Sequence, residues 1–171
     1  MAFGRGARRR VDEHRAIDPG AARTAALALL ARREYASAEL TAALVRKGYE
    51  PQVASATVAE LAGEHLVDDT RYAESLVRML AGRGQGPARI RQELRAAGLT
   101  EEQVDAALEG GPDWQALAVQ VRRRKFGADL PGEWSERARQ MRFLQYRGFS
   151  GDHVSRALDC ALQDEEPPSA S

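Results

Sequence analysis

Apolar residues recur along this chain at helical spacing, and the whole pattern then recurs. Tyr72, Leu76 and Leu80 fall at i, i+4 and i+8 with Ala73 and Val77 beside them, which places one apolar face on a helix. Gly82, Gly84 and Gly86 interrupt that helix, and Pro87 starts another at the first-turn position, where a missing N–H costs nothing. Ile90, Leu94 and Ala97 stripe the second helix, and Gly98 stands where a left-handed C-cap is expected. Leu44, Leu94 and Leu144 each lie four residues before a glycine, and Gly48, Gly98 and Gly148 are 50 residues apart. Tyr49, Leu99 and Phe149 follow the glycines. A short third helix comes next, carrying Val53, Val104 or Val154, with Ala107-Leu108 and Ala157-Leu158 in the last two copies. A fixed period of this kind indicates stacked supersecondary units.

The pattern therefore predicts an all-α protein of three tandem three-helix repeats, about nine helices and no sheet. Repeat one spans 18–66: a helix from Asp18-Pro19 to about Arg33, a second opened by Ser37, and a third from Pro51 to about Glu64. Repeat two spans 67–112 and closes on Gly110-Gly111-Pro112. Repeat three, 113–163, puts Trp114, Leu117, Ala118 and Val121 on one face. A Gly127–Gly132 loop follows, then a helix from about Glu133 to Arg147 and a last one from Ser150. Thr100 and Gln103 have capping-box spacing, and Glu50-Pro51 is an acceptable N-cap/N1 pair. Residues 1–17, Gly/Arg-rich and aperiodic, are expected to form a flexible basic arm, and 164–171 an acidic disordered tail.

Composition supports the helices: Ala, Leu, Arg and Glu dominate, and β-branched alternating runs are absent. Net charge is zero, but its distribution is uneven. Residues 1–23 carry six Arg against three acids, and 113–161 carry nine Lys/Arg against six acids. The single cysteine, Cys160, cannot form an intramolecular disulfide and reads as a packing residue, which suits a reducing cytoplasm. No run approaches the ~20 apolar residues of a membrane span, and the acids between Arg8-Arg9-Arg10 and the first apolar stretch argue against an export signal.

Catalytic chemistry finds no anchor. Gly82-Arg83-Gly84-Gln85-Gly86 lacks the lysine and the preceding strand of a nucleotide loop. His14, His65 and His153 stand far apart, each without a second ligand at i+3 or i+4, so neither a metal nor another cofactor is expected. Asp68-Asp69 precede a helix and read as N-caps. With no nucleophile–base pair, the expectation is a non-enzyme without a small-molecule substrate. What remains is charge. Arg122, Arg123, Arg124 and Lys125 cover about a turn of one helix, and Arg137, Arg139, Arg142 and Arg147 lie on the next. Arg83, Arg89, Arg91 and Arg95 supply a similar set in repeat two, the last two with Glu93 nearby. Guanidinium clusters suit phosphates. The candidate contact set is Arg122, Arg123, Arg124, Lys125, Arg137, Arg139, Arg142, Arg83 and Arg89. Only ten aromatics are present, so base stacking on single strands is not indicated.

Three stretches carry a resemblance over about Thr24 to Leu162. They are Asp68-Asp69-x-Arg71-Tyr72-Ala73, then Gly86-Pro87-x-x-Ile90-x-x-Glu93-Leu94-Arg95-x-x-Gly98, then Arg147-Gly148-Phe149-Ser150. In order and spacing they resemble the RecX family of bacterial regulatory proteins. The resemblance implies an elongated, curved array of three-helix repeats. It also implies binding to the RecA filament, and to some degree to single- or double-stranded DNA, restraining recombinase, ATPase and co-protease activities in DNA repair and the SOS response. A stand-alone helical DNA-binding protein and a generic repeat adaptor are the alternatives. The chain departs from its relatives at Ala36, where they usually place the serine of a capping box. That leaves the start of the second helix in question by a residue.

Overall fold

The computed structural model describes residues 14–159. A short helical turn over 14–16 is followed by α1 (Pro19–Leu30), α2 (Ser37–Arg46), α3 (Pro51–Gly63), α4 (Asp69–Gly82), α5 (Pro87–Ala96), α6 (Glu101–Glu109), α7 (Trp114–Phe126), α8 (Trp134–Tyr146) and α9 (Gly151–Asp159). No strand occurs among the described residues, and the helices group in threes as the periodicity predicts.

The 50-residue period governs the local geometry. Gly48, Gly98 and Gly148 sit at φ +96°, +87° and +90°, the left-handed region in which a Cβ is strained. The next amide in each case, from Tyr49, Leu99 or Phe149, donates to the carbonyl of Leu44, Leu94 or Leu144 at 3.2, 3.3 and 3.2 Å. All three leucines are fully buried. The third helices repeat as closely, with burial at 54/104/154, 57/107/157 and 58/108/158. This corrects one alignment. The counterpart of Val104 and Val154 is the buried Ala54, not the half-buried Val53, because helix phase, and not side-chain size, decides which position meets the core.

The described chain forms two compact units. Residues up to Ser75 together with Leu94–Ala107 make one, and Leu76–Glu93 with the residues from Leu108 onward make the other, so the middle repeat contributes to both. In the first unit Ala22, Ala26, Leu40, Leu44, Tyr49, Ala54, Val58 and Leu61 form the core, and the Tyr49 hydroxyl donates to the Ala21 carbonyl at 3.0 Å. Asp18 caps α1 by accepting from Gly20 N and Ala21 N. The helix stops at Leu30, earlier than expected. Arg33 instead lays its guanidinium over the Tyr35 ring at 3.6 Å and forks onto Glu39. Of the arm, only His14 to Ile17 fall within the described residues, and they are docked. Glu50 N donates to Ala16 O at 2.9 Å, and the Arg15 guanidinium lies 5.8 Å from the Tyr49 ring centroid. Residues 1–13, the acidic tail and Cys160 lie outside the described residues.

Helix α2 begins at Ser37, and Ala36 offers no side-chain cap. The missing acceptor comes from repeat two. Asp69 Oδ1 accepts from Ser37 N at 2.7 Å, while its neighbour Asp68 caps α4 by accepting from Arg71 N at 3.0 Å. That N–H holds the Asp68 carboxyl below its ordinary pKa. The paired acids read as caps from sequence thus serve two different helices. The position 50 residues after Ser37 is Pro87, which has no N–H to satisfy. Asp69→Ala is expected to lower stability by about 1 kcal/mol, read as an earlier urea midpoint, with Asp69→Asn recovering most of it.

In the second unit α7 and α9 pack through Ala118, Val119, Val121, Val154, Ala157 and Leu158, with Leu144 of α8 and Phe149 between them. Two stretches of bare backbone also meet here. Gly86 N donates to Arg147 O at 2.7 Å, and Ala88 N to Gly148 O at 3.0 Å. The approach is close enough to require glycine on both sides. A Cβ on Gly86 would stand 2.5 Å from the Gly148 carbonyl, and one on Gly148 2.5 Å from Arg89 N.

Candidate nucleic-acid interface

Helix α7 positions four of the nine Lys/Arg of the third repeat. Asp113 starts it by accepting from Gln115 N at 2.9 Å and Ala116 N at 3.0 Å, and Gly127, at φ +93°, ends it. Ala118, Val119, Val121 and Arg122 are its buried residues. Arg122 is 0% exposed, which removes it from the contact set. Its Nη1 donates to Asp129 O at 2.8 Å and its Nη2 to Ala128 O at 3.1 Å, so the guanidinium holds the loop after α7 by main-chain carbonyls. Burial, with the Arg123 charge second, lowers its pKa. The expectation that this basic turn is wholly surface fails because Arg122 lies four residues after the buried Ala118, on the same face.

Arg124 and Lys125 do reach the surface, in the last turn of α7, where the carbonyl end of the helix favours cations. Opposite them is the turn after α4. Gly84, at φ +76°, lets the backbone run against α7; a Cβ there would meet Val121 Cγ2 at 2.9 Å. That approach brings the exposed Arg83 to the same place. Arg147 completes the set from the end of α8. Its guanidinium lies 5.1 Å from the Phe143 ring centroid, and Nη1 donates to Arg83 O at 2.9 Å. Phe143 is braced edge-on by Phe126 at 5.2 Å.

Between these elements is an open cleft of about 810 Å³. Arg83, Arg124, Lys125 and Arg147 line it together with Leu117, Val121 and Phe143, and no acidic side chain does. Two clusters about 40 residues apart in sequence are thus brought together. The remaining predicted contacts go elsewhere. Arg137 pairs with Asp159 at 2.7 Å and also donates to Leu158 O. Arg139 pairs with Glu136 at 3.1 Å and stacks over Phe126. Arg89 pairs with Glu93 at 3.3 Å. Arg123 is half-buried, and Arg142 is exposed on α8 but does not line the cleft. In repeat two Arg95 forks onto Glu101, not onto Glu93. Arg147 is the lining cation that sequence left outside the contact set. Its place in the Arg147-Gly148-Phe149 turn was the available signal. Among the described residues no three His, Cys, Asp or Glu gather in a way that could hold a metal ion, and no helix is long and apolar enough to cross a membrane.

Family models for the first, second and third three-helix domains of RecX match residues 22–61, 68–108 and 113–158. A regulatory protein RecX from Halorhodospira halophila (strain DSM 244 / SL1) is 46% identical over 147 residues, covering 85% of this chain and 91% of its own. One from Pseudomonas fluorescens (strain SBW25) is 47% identical over 146 residues, covering 85% and 94%. A crystal structure of a regulatory protein RecX superposes with a TM-score of 0.70 at 25% identity, over 83% of this chain and 72% of that one. RecX from Lactobacillus salivarius, at 21% identity, shares the fold with a TM-score of 0.71 over 82% and 94%.

Proposed function

Because this chain belongs to the RecX family, we propose that it is a regulatory protein that binds the RecA filament and restrains its recombinase, ATPase and co-protease activities, and through them DNA repair and the SOS response. The observation that carries the mechanism is the basic cleft without acids. A RecA–DNA filament is a protein polymer wound on a polyanion, and a cationic concavity is a surface that such a polymer can fill. On this reading Arg83, Arg124 and Lys125 meet DNA phosphates while other faces meet RecA. No chemical step is required of the protein, which acts in the cytoplasm as a binding partner.

The test is RecA ATPase on single-stranded DNA with substoichiometric amounts of this protein. Wild type is expected to inhibit, and inhibition to weaken as salt rises. Arg124→Glu with Lys125→Glu should cost roughly tenfold or more in apparent affinity and flatten the salt dependence by about 1.4 in log–log slope, the share of two single-strand phosphate contacts. Arg46→Glu with Lys47→Glu makes the same charge change at the end of α2 and is expected to leave inhibition nearly intact. Equal loss in both pairs would mean that net charge, not the cleft, drives binding. No inhibition by wild type would remove the RecA reading itself.

A further inference from the structure

One contact recurs where successive repeats meet, and two places in the chain carry half of it without making it. Ala38, Ala88 and Ala138 lie 50 residues apart, near the start of the second helix of each repeat. The glycine turn of the following repeat covers the first two. A Cβ on Gly98 would collide with the Ala38 side chain, and Gly148 lies against Arg89 while its carbonyl accepts from Ala88 N at 3.0 Å. None of the three turn glycines reaches Ala138. Gly48 is the converse case. Its turn has the same left-handed geometry, at φ +96°, but nothing stands within 4 Å of where its Cβ would be. The residue before each glycine agrees: Ala97 is buried and Arg147 half-buried, while Lys47 is exposed.

Both uncovered places are apolar. Helix α8 starts at Trp134, three residues earlier in the register than α2 at Ser37 and α5 at Pro87. The added turn sets Trp134, 81% exposed, four residues before Ala138, and the exposed Met141 follows three residues after it. At the Gly48 turn stand Val45, whose carbonyl accepts from Gly48 N, and Ile17, next to the Ala16 carbonyl that accepts from Glu50 N. Both side chains are exposed. Repeat units bury their faces by stacking on neighbours, so an uncovered stacking face is a place for one more unit. The unit that carries a matching uncovered turn is this chain itself.

We propose that the Ala138 face of α8 binds the Gly48 turn of a second copy of this chain, continuing the repeat-to-repeat joint between molecules, head to tail. Trp134 and Met141 of one copy close over Val45 and Ile17 of the other. The two faces differ, so the contact is heterologous and each copy keeps one face for the next. Glu136 stands where Gly86 does in repeat two, and its carboxylate is turned along α8 to Arg139 and Gln140. The joint is therefore of the alanine-on-glycine kind made by Ala38 and Gly98, not the main-chain kind at Gly86. Such a small contact is weak, so the dilute protein used against RecA is monomeric. The inference stands or falls without RecA.

The experiment is analytical ultracentrifugation of the full chain over rising concentration, with neither RecA nor DNA present. The weight-average mass is expected to rise with concentration and to fall back on dilution. Trp134→Glu and Val45→Glu change exposed side chains on the two opposite faces. Each should move the onset of association about tenfold or more higher in concentration, as loss of a central apolar anchor does. Met141→Lys and Ile17→Lys take the place of either variant if it melts below wild type. An equimolar mixture of the two variants is the decisive sample. One partner keeps an intact α8 face and the other an intact Gly48 turn, so the mixture should associate at wild-type concentrations and stop at two copies. The inference is overturned if wild type is a single monomeric species at every concentration, or if its association does not reverse on dilution. It is equally overturned if the mixture fails to pair, or if Val45→Glu associates like wild type, which would point to a contact between two α8 faces.

Discussion

Arg122→Glu is expected to unfold the third repeat, with a loss of about 4 kcal/mol or more, because it places a carboxylate in a site built from two carbonyl oxygens. The side chain has no exposed surface, and Asp129 would add a second negative charge. Loss on that scale consumes much of the ~5–15 kcal/mol that holds an ordinary domain together. Thermal melting followed by far-UV circular dichroism should show a large drop in midpoint, or no cooperative transition. Arg122→Met should be costly but milder, at roughly 2–4 kcal/mol, because it keeps the packed stem and leaves the carbonyls of Ala128 and Asp129 without donors. Asp129→Ala provides the discriminating control: the donor goes to the Asp129 main chain, so only a small change is expected. If Arg122→Glu melts like wild type, the guanidinium is not buried in solution. A charge reversal across 122–124 would confuse folding with binding, and so the binding variants are confined to Arg124 and Lys125.

Gly86→Ala should destabilise by about 3 kcal/mol, the sum of a forced backbone separation and a weakened main-chain hydrogen bond. The added Cβ would lie 2.5 Å from both the C and O atoms of Gly148 and 2.6 Å from Phe149 N. Those are backbone atoms, so no side-chain rotation relieves the contact. The Gly86 N–H to Arg147 O bond, at 2.7 Å, would be stretched in consequence. Gly82→Ala is the matched control four residues earlier. It lies in the last turn of α4 with nothing within 4 Å of a Cβ, and is expected to stabilise by about 0.5 kcal/mol through the unfolded chain. Urea titrations give both numbers, and equal midpoints for the two variants would remove the close approach from the account.

Most of the architecture is visible in the sequence, because a three-helix repeat states its signals locally. The leucine, the glycine four residues later and the apolar residue after it each report on a single turn. Thr100 and Gln103 form the capping box their spacing implies, with Thr100 N donating to Gln103 Oε1 at 2.9 Å and Gln103 N to Thr100 Oγ1 at 3.3 Å. What is not visible depends on partners distant in the chain. Ala36 looks like a weakness in α2, but Asp69, 32 residues beyond Ser37, accepts from the Ser37 amide. Gln140, 2% exposed, occupies the place of Leu40 and Ile90, and only the 50-residue register reveals that a polar residue there is interior. The cleft shares this origin: Arg83 and Arg124 read as separate patches until the Gly84 turn is laid against Val121. Arg122 is different, since its position in the Ala118 stripe is legible in the sequence, and helix phase, not charge, decides its burial.

The joint between Gly86 and Gly148 is written in main-chain atoms, and that bears on how freely the surface beside it can drift. Amides and carbonyls are common to every residue type, so the joint dictates glycine at two positions and little at their neighbours. A saturation library over 82–89 and 143–150, sorted for folded protein, should hold glycine at 86 and 148, constrain Gly84 and the buried Leu144 and Phe149 as well, and leave the exposed positions far more permissive. The exposed cleft cations Arg83 and Arg124 would then be open to gain, loss or reversal without the scaffold noticing. A lineage could retune its grip on a polyanion in single steps while inheriting the same body.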